Sequence, residues 1–120
     1  MDIYFWEFSN LMKKKICILG STGSIGKATL EIISKNKKDF DVVLLSGNNN
    51  VKLLITQAKK FKPKYIYSNN FYFQEKLRIF CKANKINLID DLLLLKGIKF
   101  DITVAAISGI AGLIPTINII

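Results

Sequence analysis

Ile16-Cys17-Ile18-Leu19 is a continuous apolar run closed by Gly20, the pattern of a short strand buried on both faces of a parallel sheet. From Ile25 the spacing changes. Ile25, Ala28, Leu30, Ile32 and Ile33 are apolar, and the run ends in Ser34-Lys35-Asn36-Lys37-Lys38. This predicts a helix whose terminal lysines complement its macrodipole. Asp41 to Ser46 predicts a second buried strand, and Gly47-Asn48-Asn49-Asn50 a turn. Val51 to Phe61 reads as a helix with Val51, Leu54, Ile55 and Ala58 on one face. Lys62-Pro63 stops it, because the residue before a proline is pushed out of the helical region. A brief strand over Tyr65–Tyr67 follows, then a third helix from Phe71 to Cys81 that turns Leu77, Phe80 and Cys81 inward. Ile86 to Ile89 reads as a short strand. Asp90-Asp91 opens a turn of helix over Leu92–Leu95, with carboxylates where the dipole favours them. Asp101 to Ile107 is the last strand, Gly109, Ala111 and Gly112 make a small-residue bend, and Leu113 to Ile120 starts another helix.

Strands alternating with helices at this spacing predict an α/β fold with a parallel sheet and right-handed crossovers. The 120 residues suit one domain of modest size. No internal repeat and no linker rich in Gly, Ser or Pro divides them. The chain stops inside the apolar segment "LIPTINII" with no polar cap or glycine stop, so the expected domain is truncated, incomplete at its C-terminus. At the other end Met12 stands directly before Lys13-Lys14-Lys15. Residues 1–12 read as an N-terminal extension, loose or packed as a small amphipathic segment through Tyr4, Phe5, Trp6 and Phe8, and 13–120 as the domain proper.

Half the residues are hydrophobic and 22% are charged, so the chain is built to bury a core. The formal charge is +9, from 18 basic and 9 acidic side chains. Such a balance suits nucleic acid, an anionic membrane surface or a phosphorylated ligand. The lysines are scattered through every segment and form no stripe, which argues against a nucleic-acid binder and for a solvated surface. The start is too short and too acidic for a secretory signal, and no run reaches the roughly 18 apolar residues of a membrane span. With Cys17 and Cys81 far apart and unpaired, the expectation is a cytoplasmic protein with two reduced thiols. The absence of histidine excludes His metal ligands, His general bases and Ser-His-Asp triads within this chain.

The chemistry lies in "GSTGSIGKAT", Gly20 to Thr29. A triphosphate loop needs G-x-x-x-x-G-K-[ST]. Lys27 follows Gly26, but Ser21 stands five residues before Gly26 where a glycine is required, and Ala28 replaces the hydroxyl that would meet magnesium. The dinucleotide motif fits better. Gly20, Gly23 and Gly26 are spaced G-x-x-G-x-x-G between a buried strand and an amphipathic helix, as a Rossmann-like, doubly wound sheet requires. Gly20 lets the chain leave the strand sharply, Gly23 lets a pyrophosphate approach the backbone, and Gly26 lets helix and strand pack. The helix start favours an anion by about 0.3–2 kcal/mol, and the Thr22 and Ser24 hydroxyls add donors. At the end of the second strand an NAD enzyme carries an acid for the ribose 2′-OH. Here Ser46-Gly47-Asn48-Asn49-Asn50 holds none, and Lys52 is near. The turn therefore favours NADP(H), with ordinary turn formation as the other use of its asparagines.

With these segments read, the sequence resembles the N-terminal part of the 1-deoxy-D-xylulose 5-phosphate reductoisomerases. The motifs are "KKICILGSTGSIGKATLEII", "FDVVLLSGNNNVKLL", "FKPKYIY" and "AAISGIAGLIPTINII", and the likeness runs from about Lys14 to Ile120. It implies conversion of the phosphorylated sugar 1-deoxy-D-xylulose 5-phosphate to 2-C-methyl-D-erythritol 4-phosphate in non-mevalonate isoprenoid (terpenoid) biosynthesis. It also implies NADPH, a divalent metal (magnesium, manganese or cobalt) and a homodimer. Cofactor contacts would fall on Thr22, Gly23, Ser24 and Ile25 and on Asn48, Asn49 and Asn50. Many members carry a glycine and a basic residue where Asn48 and Asn49 stand. The family's metal-binding carboxylates and substrate-phosphate residues lie beyond Ile120, so no catalytic or metal-binding residue is expected here. Two other readings remain at this point: a semialdehyde dehydrogenase, which has a similar loop, and a non-catalytic nucleotide-binding remnant.

Overall fold

The computed structural model describes residues 13–68 and 70–106. The expected bend at 109–112, the helix from Leu113 and the N-terminal extension lie outside the described residues. Five strands, β1 (Lys14–Leu19), β2 (Phe40–Ser46), β3 (Tyr65–Tyr67), β4 (Asn87–Ile89) and β5 (Ile102–Ala105), form one parallel sheet in the order β4-β3-β2-β1-β5. Three helices, α1 (Ser24–Lys35), α2 (Val51–Phe61) and α3 (Gln74–Ala83), connect the first four strands.

The strand period of two explains how the core divides. Ile16 and Ile18 of β1 join Val42, Leu45 and Ile66 on one face, against Leu30 and Ile33 of α1, Leu54 and Ala58 of α2, and Leu77 and Cys81 of α3. Cys17 and Leu19 point the other way and meet Leu44, Ile89, Leu92 and Leu95. Right-handed crossovers between neighbouring parallel strands put successive helices on one face, which is the arrangement of α1–α3. The winding then reverses. After β4 the chain crosses the second face through a 3₁₀ turn at Leu92–Leu95 and returns as β5 beside β1. A register shift between Ile16 and Cys17 lets β2 place an additional residue opposite β1.

Several expected details change. Ile25 and Ile32 are both 61% exposed and Ala28 is exposed, so α1 buries only Gly26, Leu30 and Ile33. The third helix splits into a 3₁₀ turn at Phe71–Phe73 and α3, because Asn70 caps the Tyr72 N–H and closes a tighter turn first. Lys62 does leave the helical region before Pro63, but into the left-handed conformation at φ 49°, with its N–H on the Ala58 carbonyl at 2.9 Å. The last strand ends at Ala105. Asp91 does cap its turn, accepting the Leu93 N–H at 2.9 Å. Both cysteines are free and buried, and every described lysine except the half-buried Lys13 is exposed.

Candidate functional site

In an open parallel sheet, ligands bind beyond the strand C-termini where the strand order reverses. Here that point lies between β1 and β5, and the chain leaving β1 there is the glycine loop. Gly20 has φ +83°, the left-handed conformation that a sharp exit from the strand demands. Gly26 is held by contact instead. A Cβ there would stand 2.4 Å from the Gly20 carbonyl oxygen and 2.5 Å from Ser21 Cα. Gly23 has neither constraint. Its φ is −80°, and a Cβ would meet the protein at 3.6 and 3.8 Å, ordinary contact distances. Among the described residues, neither the backbone angles nor the packing call for a glycine at 23.

Gly23 caps α1 without a side-chain hydrogen bond. Its carbonyl accepts the Lys27 N–H at 2.9 Å, so the N–H groups of Ser24, Ile25 and Gly26 precede the first intrahelical bond and point out of the helix start. Neither α1 nor α2 has an acid in its first turn. Each has a lysine near its start instead, Lys27 and Lys52, which the positive end of a helix dipole disfavours unless an anion is shared. Ser24 and Ile25 are exposed, and Thr22 is half-buried against Gly47, where a Cβ would come 3.1 Å from its Cγ2. The loop and the Asn48–Asn50 turn are thus neighbours.

Side chains outside the expected set hold this geometry. The Ser46 hydroxyl accepts the Gly20 N–H at 2.9 Å, and the Ser46 carbonyl accepts the Ser21 N–H at 2.7 Å. Gln57, buried in α2, donates to the Ser21 carbonyl at 2.9 Å and accepts from the Ser21 hydroxyl at 2.8 Å. A signal existed in the sequence. Gln57 sits in the stripe of Val51, Leu54 and Ala58, where a polar residue needs a buried partner.

The turn is also braced. Asn50 caps α2 by accepting the Leu53 N–H at 3.2 Å. Asn70, another residue outside the expected set, donates from its amide to the Asn48 carbonyl at 2.9 Å. Among the described residues, none at this edge is poised for acid–base or nucleophilic work. Burial pushes the Cys17 thiol up to about 12, and burial, then Asp91 and Asp90, push the Tyr67 phenol upward. Among the described residues no three His, Cys, Asp or Glu side chains group to hold a metal.

Residues 16–120 match the family model for 1-deoxy-D-xylulose 5-phosphate reductoisomerase. The chain belongs to that family. The reductoisomerase of Caldanaerobacter subterraneus subsp. tengcongensis is 42% identical over 113 residues, which cover 89% of this chain and 28% of that protein. The Porphyromonas gingivalis reductoisomerase is 44% identical over 118 residues, 91% of this chain and 29% of its own length. Among solved structures, the Zymomonas mobilis reductoisomerase in complex with NADPH superposes with a TM-score of 0.79 at 30% identity, covering 89% of this chain and 29% of that one. A reductoisomerase in complex with NADPH, fosmidomycin and magnesium gives 0.78 at 29% identity, covering 88% and 27%. The chain therefore spans somewhat over a quarter of the length of these reductoisomerases. Its match to them sets aside the semialdehyde dehydrogenase reading.

Proposed function

We propose that residues 13–120 form the NADPH-binding part of a reductoisomerase that rearranges and reduces 1-deoxy-D-xylulose 5-phosphate to 2-C-methyl-D-erythritol 4-phosphate. The observation that carries this is the contrast among three glycines. Gly20 and Gly26 are required by the fold, whereas Gly23 meets no such demand among the described residues and leaves the start of α1 without a side-chain cap. That is the provision a pyrophosphate needs.

The residues present fit the cofactor. The N–H groups of Ser24, Ile25 and Gly26 would hold the pyrophosphate, with the Ser24 hydroxyl beside them. The exposed Ile25 offers apolar surface next to it, and Thr22 sets the spacing between loop and turn. Asn48, Asn49 and Asn50 accommodate the 2′-phosphate with amide donors, helped by Lys52, where an acid would repel it. NADPH, when bound, supplies the hydride. This chain's contribution is to hold that donor at the sheet edge and keep it oriented. The whole protein would also use a divalent metal and the phosphorylated sugar, assemble as a homodimer and work in the cytoplasm. No helix among the described residues is long and apolar enough to cross a membrane.

NADPH fluorescence titrated against the purified gene product tests this. Saturable enhancement that weakens in Gly23→Asp is expected, with NADPH preferred to NADH, and a folded protein that leaves the emission unchanged overturns the proposal. Turnover of the phosphorylated sugar by the intact gene product separates an enzyme from a non-catalytic nucleotide-binding remnant.

A further inference from the structure

Phe71 and Tyr72 are 93% and 94% exposed, more than any packing role allows, while Phe73 in the same 3₁₀ turn packs against the core. Two adjacent aromatic rings in water are costly surface to leave uncovered. They lie just past β3, whose Tyr67 pairs with Ser46 of β2, so this turn and the Asn48–Asn50 turn leave the sheet side by side. Asn70 joins them. Its amide donates to the Asn48 carbonyl at 2.9 Å and to Asn49 Oδ1 at 3.3 Å, while its own Oδ1 accepts the Tyr72 N–H at 3.1 Å. Its backbone N–H reaches the buried Ser68 hydroxyl at 3.3 Å. One side chain therefore fixes the aromatic pair relative to the polar turn.

We propose that Phe71 and Tyr72 are the platform on which the adenine ring of the dinucleotide stacks, an inference that rests on the NADPH reading above. In 2′-phosphoadenosine the base is attached to C1′ and the phosphate to the neighbouring C2′. A turn that holds the phosphate must therefore have the base beside it, and the base needs a flat apolar partner. The Asn48–Asn49 amides and the two rings supply those chemistries in that relation. Stacking on a protein aromatic ring changes affinity by about five- to 150-fold on truncation.

The test divides the cofactor into its halves. On the purified gene product, 2′,5′-ADP and reduced nicotinamide mononucleotide are titrated by calorimetry against the parent and the Phe71→Ser/Tyr72→Ser variant. Affinity for 2′,5′-ADP falls at least about fivefold, that for the nicotinamide half is unchanged, and the melting temperature holds because both rings are exposed. Phe71→Trp retains affinity and gains an emission, over the parent's background, that 2′,5′-ADP quenches. Unchanged 2′,5′-ADP affinity in the double variant overturns the platform alone, as does a loss shared by both halves together with a lowered melting temperature. A parent that binds neither NADPH nor 2′,5′-ADP overturns the NADPH reading with it.

Discussion

Gly26 and Gly23 differ by three positions in one loop, and the structure predicts opposite consequences for the same added methyl. At Gly26 the new Cβ lies 2.4 Å from the Gly20 oxygen, 2.5 Å from Ser21 Cα and 2.7 Å from Ser21 C. All three are backbone atoms, fixed by the Ser46 and Gln57 hydrogen bonds, so no flexible side chain can yield. Restoring an ordinary 3.4 Å contact moves the start of α1 by about 1 Å away from the loop (3.4 less 2.4). Overpacking against immobile atoms costs about 3 kcal/mol, and the helix propensity gained on replacing glycine by alanine returns about 1, leaving a net loss near 2 kcal/mol. At Gly23 the Cβ finds ordinary contacts and an extended backbone that alanine adopts freely. Losing glycine at the cap costs up to about 1 kcal/mol, stiffening the unfolded chain returns about 0.4–1, and the sum lies within about 0.5 of zero. On the proposed reading the pyrophosphate approaches Gly23, so Gly23→Ala lowers NADPH affinity at least about tenfold, which is about 1.4 kcal/mol. Urea unfolding and NADPH titration of both variants read these effects separately. A Gly26→Ala protein with the parent's urea midpoint refutes the packing argument. Parent-like NADPH binding by a stable Gly23→Ala protein refutes the assignment of that space to the ligand.

Gln57→Leu gains apolar area but strips the Ser21 carbonyl of its partner, so the melting temperature falls by the equivalent of about 1–3 kcal/mol; an unchanged melting temperature contradicts the network. Lys62→Gly relieves a left-handed residue and retains the N–H bond to Ala58, which raises stability by about 0.5 kcal/mol in urea. Cys17 and Cys81 are pushed from 9.0 to about 12 and about 11 by burial. The folded state therefore holds protons that the unfolded chain releases above pH 9, and stability falls as pH rises through 9 to 11 and 12. Urea midpoints at pH 8 and pH 10 check this, and a Cys17→Ala/Cys81→Ala variant shows the shallower decline.

Elements whose pattern was set by local chemistry were readable from sequence. Val51–Phe61 and Tyr65–Tyr67 have the expected bounds because a capping asparagine, a continuous apolar stripe and Pro63 mark them. The three glycines were legible for the same reason, though only the structure separates the two that the fold requires from the one that it does not. Apolar residues at Ile25 and Ile32 misled because a helix on one face of a sheet buries a narrow stripe, and Leu30 and Ile33 already fill it. Asn70 was illegible. Its role depends on β2 and β3 lying side by side, a fact of long-range pairing that no local spacing records.

The linked positions Asn50, Gln57 and Ser21 bear on how cofactor preference could be re-engineered. Asn50 caps α2, and Gln57 two turns later in that helix holds the glycine loop through Ser21. On the proposed reading, a swap at Asn50 therefore travels along α2 to the glycine loop and damages use of either cofactor. Asn48 and Asn49 sit ahead of that lever, and the main tie between Asn70 and Asn48 runs to its backbone carbonyl, so a library aimed at exchanging NADPH for NADH varies these two and keeps Asn50.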